Sequence, residues 1–306
     1  MKHFRLYLTI VGSFWMACLQ LQAQERKSLA GTWQVKLDPQ DEGLQAHWWE
    51  KAFPEKAQLP GSLASNNLGY KVSLATPWTG DVIDSSYFFL EKYAKYRQGD
   101  IKIPFWLKPK RHFVGPAWYK KTIEIPENWA KKRVLLHLER CHWETNVFVN
   151  GEFCGTQNSL VSPHIYDISG YLKAGKKNEI VLRVDNRIKI YIGPNSSSIT
   201  EHTQTNWNGV IGDISLEAQE TTNINDLQIY PRLATSSIDL ALTLKQSKGR
   251  TFKGNIRLQA RSLQANGAIF PVKELPLSLN TELQNFTIAY AIPQAQLWDE
   301  FSPNLS

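Results

Sequence analysis

From Gly31 onward, apolar and polar residues alternate with the two-residue period of β-strands rather than the 3.6-residue period of helices. Val134, Leu136 and Leu138 fall on one face of such a strand, with His137 and Glu139 on the other. Val147 and Val149 alternate with Asn146 and Phe148, after which Asn150-Gly151 supplies a two-residue hairpin turn. Ile180, Leu182 and Val184 alternate with Arg183 and Asp185, and Ile214 and Leu216 with Asp213, Ser215 and Glu217. The pattern predicts one short helix, Leu44–Phe53, stopped by Pro54. No strand–helix–strand alternation appears, which excludes a doubly wound sheet and a complete (β/α)₈ barrel. Residues 25–220 therefore read as an antiparallel sandwich with long, aromatic-rich loops.

A boundary falls near residue 220, at Glu220-Thr-Thr-Asn-Ile-Asn225. Beyond it, Leu227–Tyr230, Ile238–Leu244, Asn255–Ala260 and Phe286–Ile292 read as strands, with weaker ones near Ile269 and Leu275. An immunoglobulin-like sandwich needs about seven strands, so residues 221–306 read as a truncated one.

The 306 residues, 42% of them hydrophobic and 21% charged, are enough for about two packed domains and exclude a disordered or collagenous chain. The first 24 residues stand apart. Lys2 and Arg5 precede an apolar stretch from Leu8 to Leu19 and a small residue at Ala23. That order describes a secretory signal peptide, and the stretch is short for a membrane span. The expectation is an exported protein, periplasmic or extracellular. Cys18 raises lipoprotein anchoring as an alternative, although Trp15-Met-Ala-Cys18 is a poor lipobox.

The net charge is +7, and the basic runs are Lys108-Pro-Lys-Arg-His112, Lys131-Lys-Arg133 and Lys173-Ala-Gly-Lys-Lys177, scattered along the chain. These runs are short and sit at turns, so they read as solvated surface and not as a nucleic-acid stripe. Export permits a disulfide between Cys141 and Cys154, and two buried free thiols fit the sequence equally well. No Cys or His pair stands at ligand spacing, so neither a metal nor a cofactor is expected.

Seven ordered segments then point to a family. Leu59-Pro-Gly-Ser-Leu63 and Thr76-Pro-Trp-Thr-Gly80 come first, followed by Gly115-Pro-Ala-Trp-Tyr119 with its continuation to Pro126, and the strand pair Val134–Gly151. Ser162-Pro-His-Ile-Tyr-Asp-Ile168, Glu179-Ile-Val-Leu-Arg-Val-Asp-Asn186 and Asn206-Trp-Asn-Gly-Val-Ile-Gly212 complete the series. In this order they resemble the sugar-binding-type domain of glycoside hydrolase family 2. Ala295–Leu305 resembles a segment late in that family's second domain. The resemblance implies an all-β chain, a jelly-roll (galactose-binding-like) sandwich followed by an immunoglobulin-like one. In the family a catalytic (β/α)₈ barrel follows, and the expectation is that this chain carries only the non-catalytic front.

Retaining glycosidases use two carboxyl groups about 5–5.5 Å apart. In this family both are barrel glutamates, the acid/base standing in an Asn-Glu pair. Asn178-Glu179 here follows a Lys/Gly turn and opens a strand, so no catalytic residue is assigned.

Ligand contact is a separate matter. The resemblance implies that the loop before Gly209 borders a sugar site, which makes His202, Asn206, Trp207 and Asn208 candidate substrate-binding residues. Amides offer donors and acceptors to hydroxyls, and Trp207 offers a flat apolar face. Equally, Trp207 packs between sheets while the two asparagines shape a turn. The expected ligand is carbohydrate, a β-glycoside or polysaccharide, and a stand-alone carbohydrate-binding or adhesion module is the competing reading.

Among the remaining residues, His142, Trp143, Glu144 and His164 read as structural, and Trp33, Trp48, Trp49 and Trp118 as core. Trp78, Trp106 and Trp129 read as loop or turn aromatics open to surface packing or glycan contact.

Overall fold

A computed structural model describes residues 9–11, 25–72, 76–79, 90–96, 110–193, 196–197, 199–200, 206–246, 249, 251–262, 269–295 and 297–302. Contacts divide the chain into two compact units, one of residues 26–218 and one joining 219–306 to 1–25. In chain order the first strands are β1 (Thr9–Val11), β2 (Glu25–Ser28), β3 (Gly31–Leu37), β4 (Glu55–Leu59), β5 (Gly61–Ser62), β6 (Tyr70–Lys71) and β7 (Arg111–His112). Then come β8 (Pro116–Glu124), β9 (Arg133–Cys141), β10 (Glu144–Val149), β11 (Glu152–Asn158), β12 (His164–Asp167), β13 (Lys177–Asp185) and β14 (Gly209–Gln219). The second unit adds β15 (Asn223–Arg232), β16 (Ser237–Lys245), β17 (Phe252–Leu258), β18 (Lys273–Leu279) and β19 (Leu283–Ala291).

The first unit is a two-sheet sandwich. One sheet runs β11-β10-β13-β8-β3-β4, and the other runs β12-β9-β14-β2 with β5 paired to β14. The alternation in the sequence aims one set of side chains inward. Val35, Tyr119, Val147, Leu182 and Val184 from the larger sheet meet Leu136, Leu138, Tyr166, Ile214 and Leu216 from the smaller in one core. The β10–β11 hairpin turns on Asn150 and Gly151, both at positive φ (53° and 88°), as an Asn-Gly turn of this length requires.

The larger sheet is covered on its outer face too. Trp118, Phe148 and Val181 point away from the main core and pack with Trp48 and Phe53 in a second cluster. This packing overrides the helix expected over 44–53. The segment instead folds as turns with a three-residue 3₁₀ helix, Trp48–Glu50, entered through His47 in the left-handed region (φ 51°). A continuous helix would carry Trp48 and Phe53 to different faces, whereas the broken path presses both onto the sheet. Asp38 pins its start by accepting hydrogen bonds from the Glu42 and Gly43 backbone N–H groups (2.9 Å each) and from Trp118 Nε1 (3.0 Å). Gly43 lies so close to Trp118 that a Cβ there would collide with the indole.

The second unit holds two three-stranded sheets, β15-β16-β19 and β1-β17-β18. The strict alternation of Ile238, Leu240, Leu242 and Leu244 buries all four in its core. One expectation needs correction: the strand near Ile269 reduces to an isolated bridge with Arg261. The Thr9–Val11 backbone of β1 pairs antiparallel with Asn255–Arg257 of β17. An unpaired strand edge bonds an extended chain that reaches it, which is why a short strand can lodge there.

The cysteine alternative resolves to free thiols. Cys141 is buried, Cys154 is half-buried, and burial pushes both thiols up, Cys154 to about 11.

Candidate functional site

Three short elements of the first unit converge on one cleft. β5 pairs with the start of β14, Gly61 opposite Val210 and Ser62 opposite Gly209. Gly209 takes φ 142°, and a Cβ there would strike the Gly61 backbone, so the glycine permits this approach. The Leu63 N–H then donates to the Asn208 carbonyl (2.8 Å). β6 pairs with β7, Tyr70 opposite His112 and Lys71 opposite Arg111. Leu63, Ala64, Leu68, Arg111, His112, Phe113, Asn206, Trp207 and Asn208 line the resulting small, open cleft.

The candidate residues separate by role. Asn208 is buried; its Oδ1 accepts from Tyr119 Oη (2.8 Å), and its Nδ2 donates to the carbonyls of Val184 (2.8 Å) and Gly115 (3.0 Å). All its polar capacity is directed into the sandwich. Asn206 accepts from Asn186 Nδ2 (2.7 Å) and donates to Thr79 Oγ1 (2.8 Å) and the Ile199 carbonyl (3.1 Å). Both asparagines act as struts that hold the loop. Trp207 is half-buried, its ring 5.5 Å from that of buried His142, and keeps part of its surface toward the cleft. His202 lies outside the described residues, as does Trp106.

Arg111 and His112 were not singled out from the sequence, where their run read as solvated surface. His112 is buried, edge-on to Trp78 at 4.8 Å. Arg111 is half-exposed, and its Nε donates to Asn67 Oδ1 (2.9 Å). The pairing of β6 with β7, invisible in local pattern, is what brings them to Trp207.

A second polar cluster sits at the end of β13. Asp185 is fully buried and accepts from Arg187 Nη2 (2.6 Å), Lys189 Nζ (2.7 Å) and Arg183 Nη2 (3.3 Å). Asp41 bridges Arg183 and Arg187 (2.6 Å each), and Glu144 meets Lys189 (3.1 Å). Burial alone would raise the Asp185 pKa, but the hydrogen bonds from Arg187 and Lys189 outweigh it and hold the carboxyl down at about 2. Asp41 is likewise lowered, by its two arginines against the cost of burial. A general acid needs the opposite shift. Three carboxylates matched by three cations form a structural lock, not a catalytic pair.

Other residues take the structural roles read for them. Asn178 Oδ1 accepts from the Lys173 N–H (2.7 Å), and Glu179 pairs with Lys120 (3.0 Å), so this Asn-Glu pair clamps a turn. His164 is buried between Thr145 Oγ1 (2.6 Å) and Ser159, and burial lowers its pKa. Trp129 belongs to the main core. Among the described residues, no group of three or more His, Cys, Asp or Glu could hold a metal ion, and no helix is long and apolar enough to cross a membrane.

The chain is thus a jelly-roll sandwich followed by an immunoglobulin-like sandwich, with the cleft on the first. Residues 26–219 match the profile of the glycosyl hydrolases family 2 sugar binding domain, and residues 222–305 match the profile of glycosyl hydrolases family 2. The chain belongs to glycosyl hydrolases family 2.

Among curated relatives, a putative beta-glucuronidase of Formosa agariphila is 27% identical over 190 residues, covering 62% of this chain and 22% of the relative. A beta-galactosidase large subunit of Lactobacillus acidophilus is 20% identical over 286 residues, covering 92% of this chain and 42% of the relative. The Ruminococcus gnavus beta-glucuronidase structure shares the fold at TM-score 0.58 and 18% identity, over 94% of this chain and 42% of that one. A putative beta-galactosidase from Bacteroides fragilis does so at TM-score 0.63 and 18% identity, over 90% and 36%. The chain thus spans less than half the length of each of these four proteins.

Proposed function

We propose that this chain is the N-terminal, non-catalytic portion of an exported family 2 glycoside hydrolase, and that its first sandwich borders the sugar site of a barrel not contained in these residues. The observation that carries the reading is the cleft at Trp207. Two asparagine struts hold the loop rigidly while the indole keeps exposed surface, an arrangement suited to the apolar face of a sugar ring. The names of the relatives, beta-glucuronidases and beta-galactosidases, support a β-glycoside as substrate. Export rests on the basic start and apolar centre of residues 1–24, and amino-terminal sequencing of the secreted chain tests it, with a start near Glu25 expected.

The test of function is turnover of an aryl-β-glycoside panel by this chain beside a barrel-containing version. No turnover by the chain alone is expected, and Trp207→Ala in the longer version should raise KM several-fold with kcat little changed. Hydrolysis by the 306-residue chain itself would sink the proposal.

A second reading, a stand-alone carbohydrate-binding module, is favoured by one feature: every described residue of the cleft comes from the first sandwich. Specific binding on a glycan array that Trp207→Ala abolishes would support the module.

A further inference from the structure

We infer that residues 159–163 form a pH-released flap on the first sandwich, latched by the neutral ring of His164 and opened when that ring takes up a proton. The inference stands apart from the sugar-contact reading and uses none of its residues.

The latch is one ordered run of hydrogen bonds. His164 exposes none of its surface, and Thr145 and Tyr166 beside it are buried as well. The Ser159 N–H donates to His164 Nε2 (3.1 Å), so that nitrogen carries a lone pair and the proton of the neutral ring sits on Nδ1. Nδ1 then donates to Thr145 Oγ1 (2.6 Å), and Thr145 Oγ1 to Tyr166 Oη (2.6 Å). Tyr166 Oη ends the run on the Thr145 carbonyl (2.9 Å). Each donor has its acceptor, and only the Nδ1-protonated neutral imidazole fits between them.

Nε2 holds the residue that organises the loop. Ser159 Oγ accepts from the N–H groups of Val161 (3.2 Å) and Ser162 (3.1 Å) and from Ser162 Oγ (2.8 Å). The two ends of the loop are clamped separately, since Gln157 accepts from the Ile165 N–H (3.0 Å) and donates to the Ile165 carbonyl. Between those ends Val161 is 89% exposed. Displacing Ser159 therefore frees the loop and leaves β11 and β12 paired with their neighbours.

A proton on Nε2 reverses the contact. The imidazolium has no acceptor left, so its new N–H faces the Ser159 N–H where one bond stood. The Ser159 carbonyl, 3.0 Å from the same nitrogen, takes the new proton, and the Ser159 N–H is left against a positive ring with no acceptor.

The charged groups around the ring are committed elsewhere. Glu144, next to Thr145, is engaged by Lys189 (3.1 Å), and Asp167 by Arg133 (2.8 Å). On β9, His137 and Glu139 turn to Asp213, Arg140 is exposed, and the buried Cys141 thiol stays protonated. Glu152 of β11 is exposed at the hairpin. Among the described residues no carboxylate pairs with His164. Burial holds its pKa below the ordinary 6.5, outweighing the Ser159 carbonyl, which favours the charged ring. A latched pKa below the released one means that closure is at full strength above 6.5 and is lost as pH falls toward the latched value.

The test is amide hydrogen exchange of the full chain between about pH 7.5 and 5, above the ordinary carboxylate range, with rates corrected for the intrinsic effect of pH. Protection at Ser159, Val161 and Ser162 is expected to fall about tenfold per pH unit below 6.5, one proton being taken up on opening. Protection at the buried Leu136 and Leu182 should hold over the same range. His164→Gln offers the Ser159 N–H an acceptor that does not titrate, so its loop should respond flatly to pH, whereas His137→Gln should respond as the wild type does. Nitrogen-15 NMR of the histidine rings reads the latch without any substitution. It should show the Nδ1-protonated form of His164 at neutral pH and imidazolium rising in step with loop exchange.

Loop protection that ignores pH, a response that persists in folded His164→Gln, or an Nε2-protonated neutral ring overturns the inference. Equal loss of protection at Leu136 and Leu182 overturns it too, because the whole sandwich would then be responding in place of the flap.

Discussion

The two sandwiches begin from the same two-residue alternation and reach different packing. In the first, β8, β10 and β13 are buried on both faces, because the 43–53 segment lays Trp48 and Phe53 over the outer side of the sheet. Among the described residues, its main core gathers 27 buried side chains, against 12 in the core of the second. In the second, β15 presents Ile229 and Tyr230 to solvent, and Leu233 follows them. The difference teaches that alternation decides only that a strand has an inner face. Whether its outer face is also buried depends on what the chain brings over it.

Four measurements would break or sharpen this comparison. The largest effect is expected from one substitution made in both cores. Leu182 and Leu242 are each almost fully buried. Leu182→Ala should cost about 4 kcal/mol and Leu242→Ala about 2–3, since the cost grows with how firmly the surroundings resist collapse. Urea denaturation reads them separately, because tryptophan fluorescence reports mainly the first sandwich and far-ultraviolet circular dichroism reports both. Equal costs would mean that the second core is as tightly packed as the first.

Acid should also separate the two units. The Asp185 carboxyl, held near 2 against an ordinary 3.8, contributes about 2 kcal/mol to the first sandwich at neutral pH. A depressed folded-state pKa means that this contribution is fully present above the ordinary value and is lost as pH falls through about 2. The first sandwich should therefore weaken between about pH 5 and 2 by more than its companion. Asp185→Asn leaves Arg183, Arg187 and Lys189 short of a charge partner, so it should destabilise at neutral pH and flatten that acid limb. An unchanged acid limb in the variant would assign the pH dependence elsewhere.

Hydrogen exchange gives the direct contrast. Amides across 221–306 should exchange about tenfold faster than those of the first core, as expected where fewer contacts resist opening. Equal protection would mean that the second sandwich is complete as it stands. The smallest effect is expected at Arg232, whose ion pair with Asp239 (2.8 Å) lies at the surface of the second unit. Arg232→Ala should cost under about 1 kcal/mol, within reach of careful thermal denaturation.

Much of the fold was legible because strand faces and hairpin turns are local properties. The inward sets at Val134–Leu138 and Ile180–Val184, and the Asn150-Gly151 turn, depend on residues at most a few positions apart. The 44–53 segment was misread because its apolar spacing suits a helix locally, while Asp38 and Trp118, distant in sequence, dictate its broken path. The site was legible only in part. Asn206 and Asn208 have the residue type of sugar ligands, yet the Val184 and Gly115 carbonyls, Tyr119 and Asn186 take up their hydrogen bonds. Arg111 looked like one more cation in a basic run until β6 and β7 paired.

By itself, then, the sequence determined the all-β class, the boundary near 220 and the family, since period, turn residues and ordered motifs are written along the chain. Only the tertiary structure decided which polar groups of the cleft are spent inside the protein and which remain for a ligand. Hydrogen-bonding capacity is finite, and partners far apart in sequence determine where it goes.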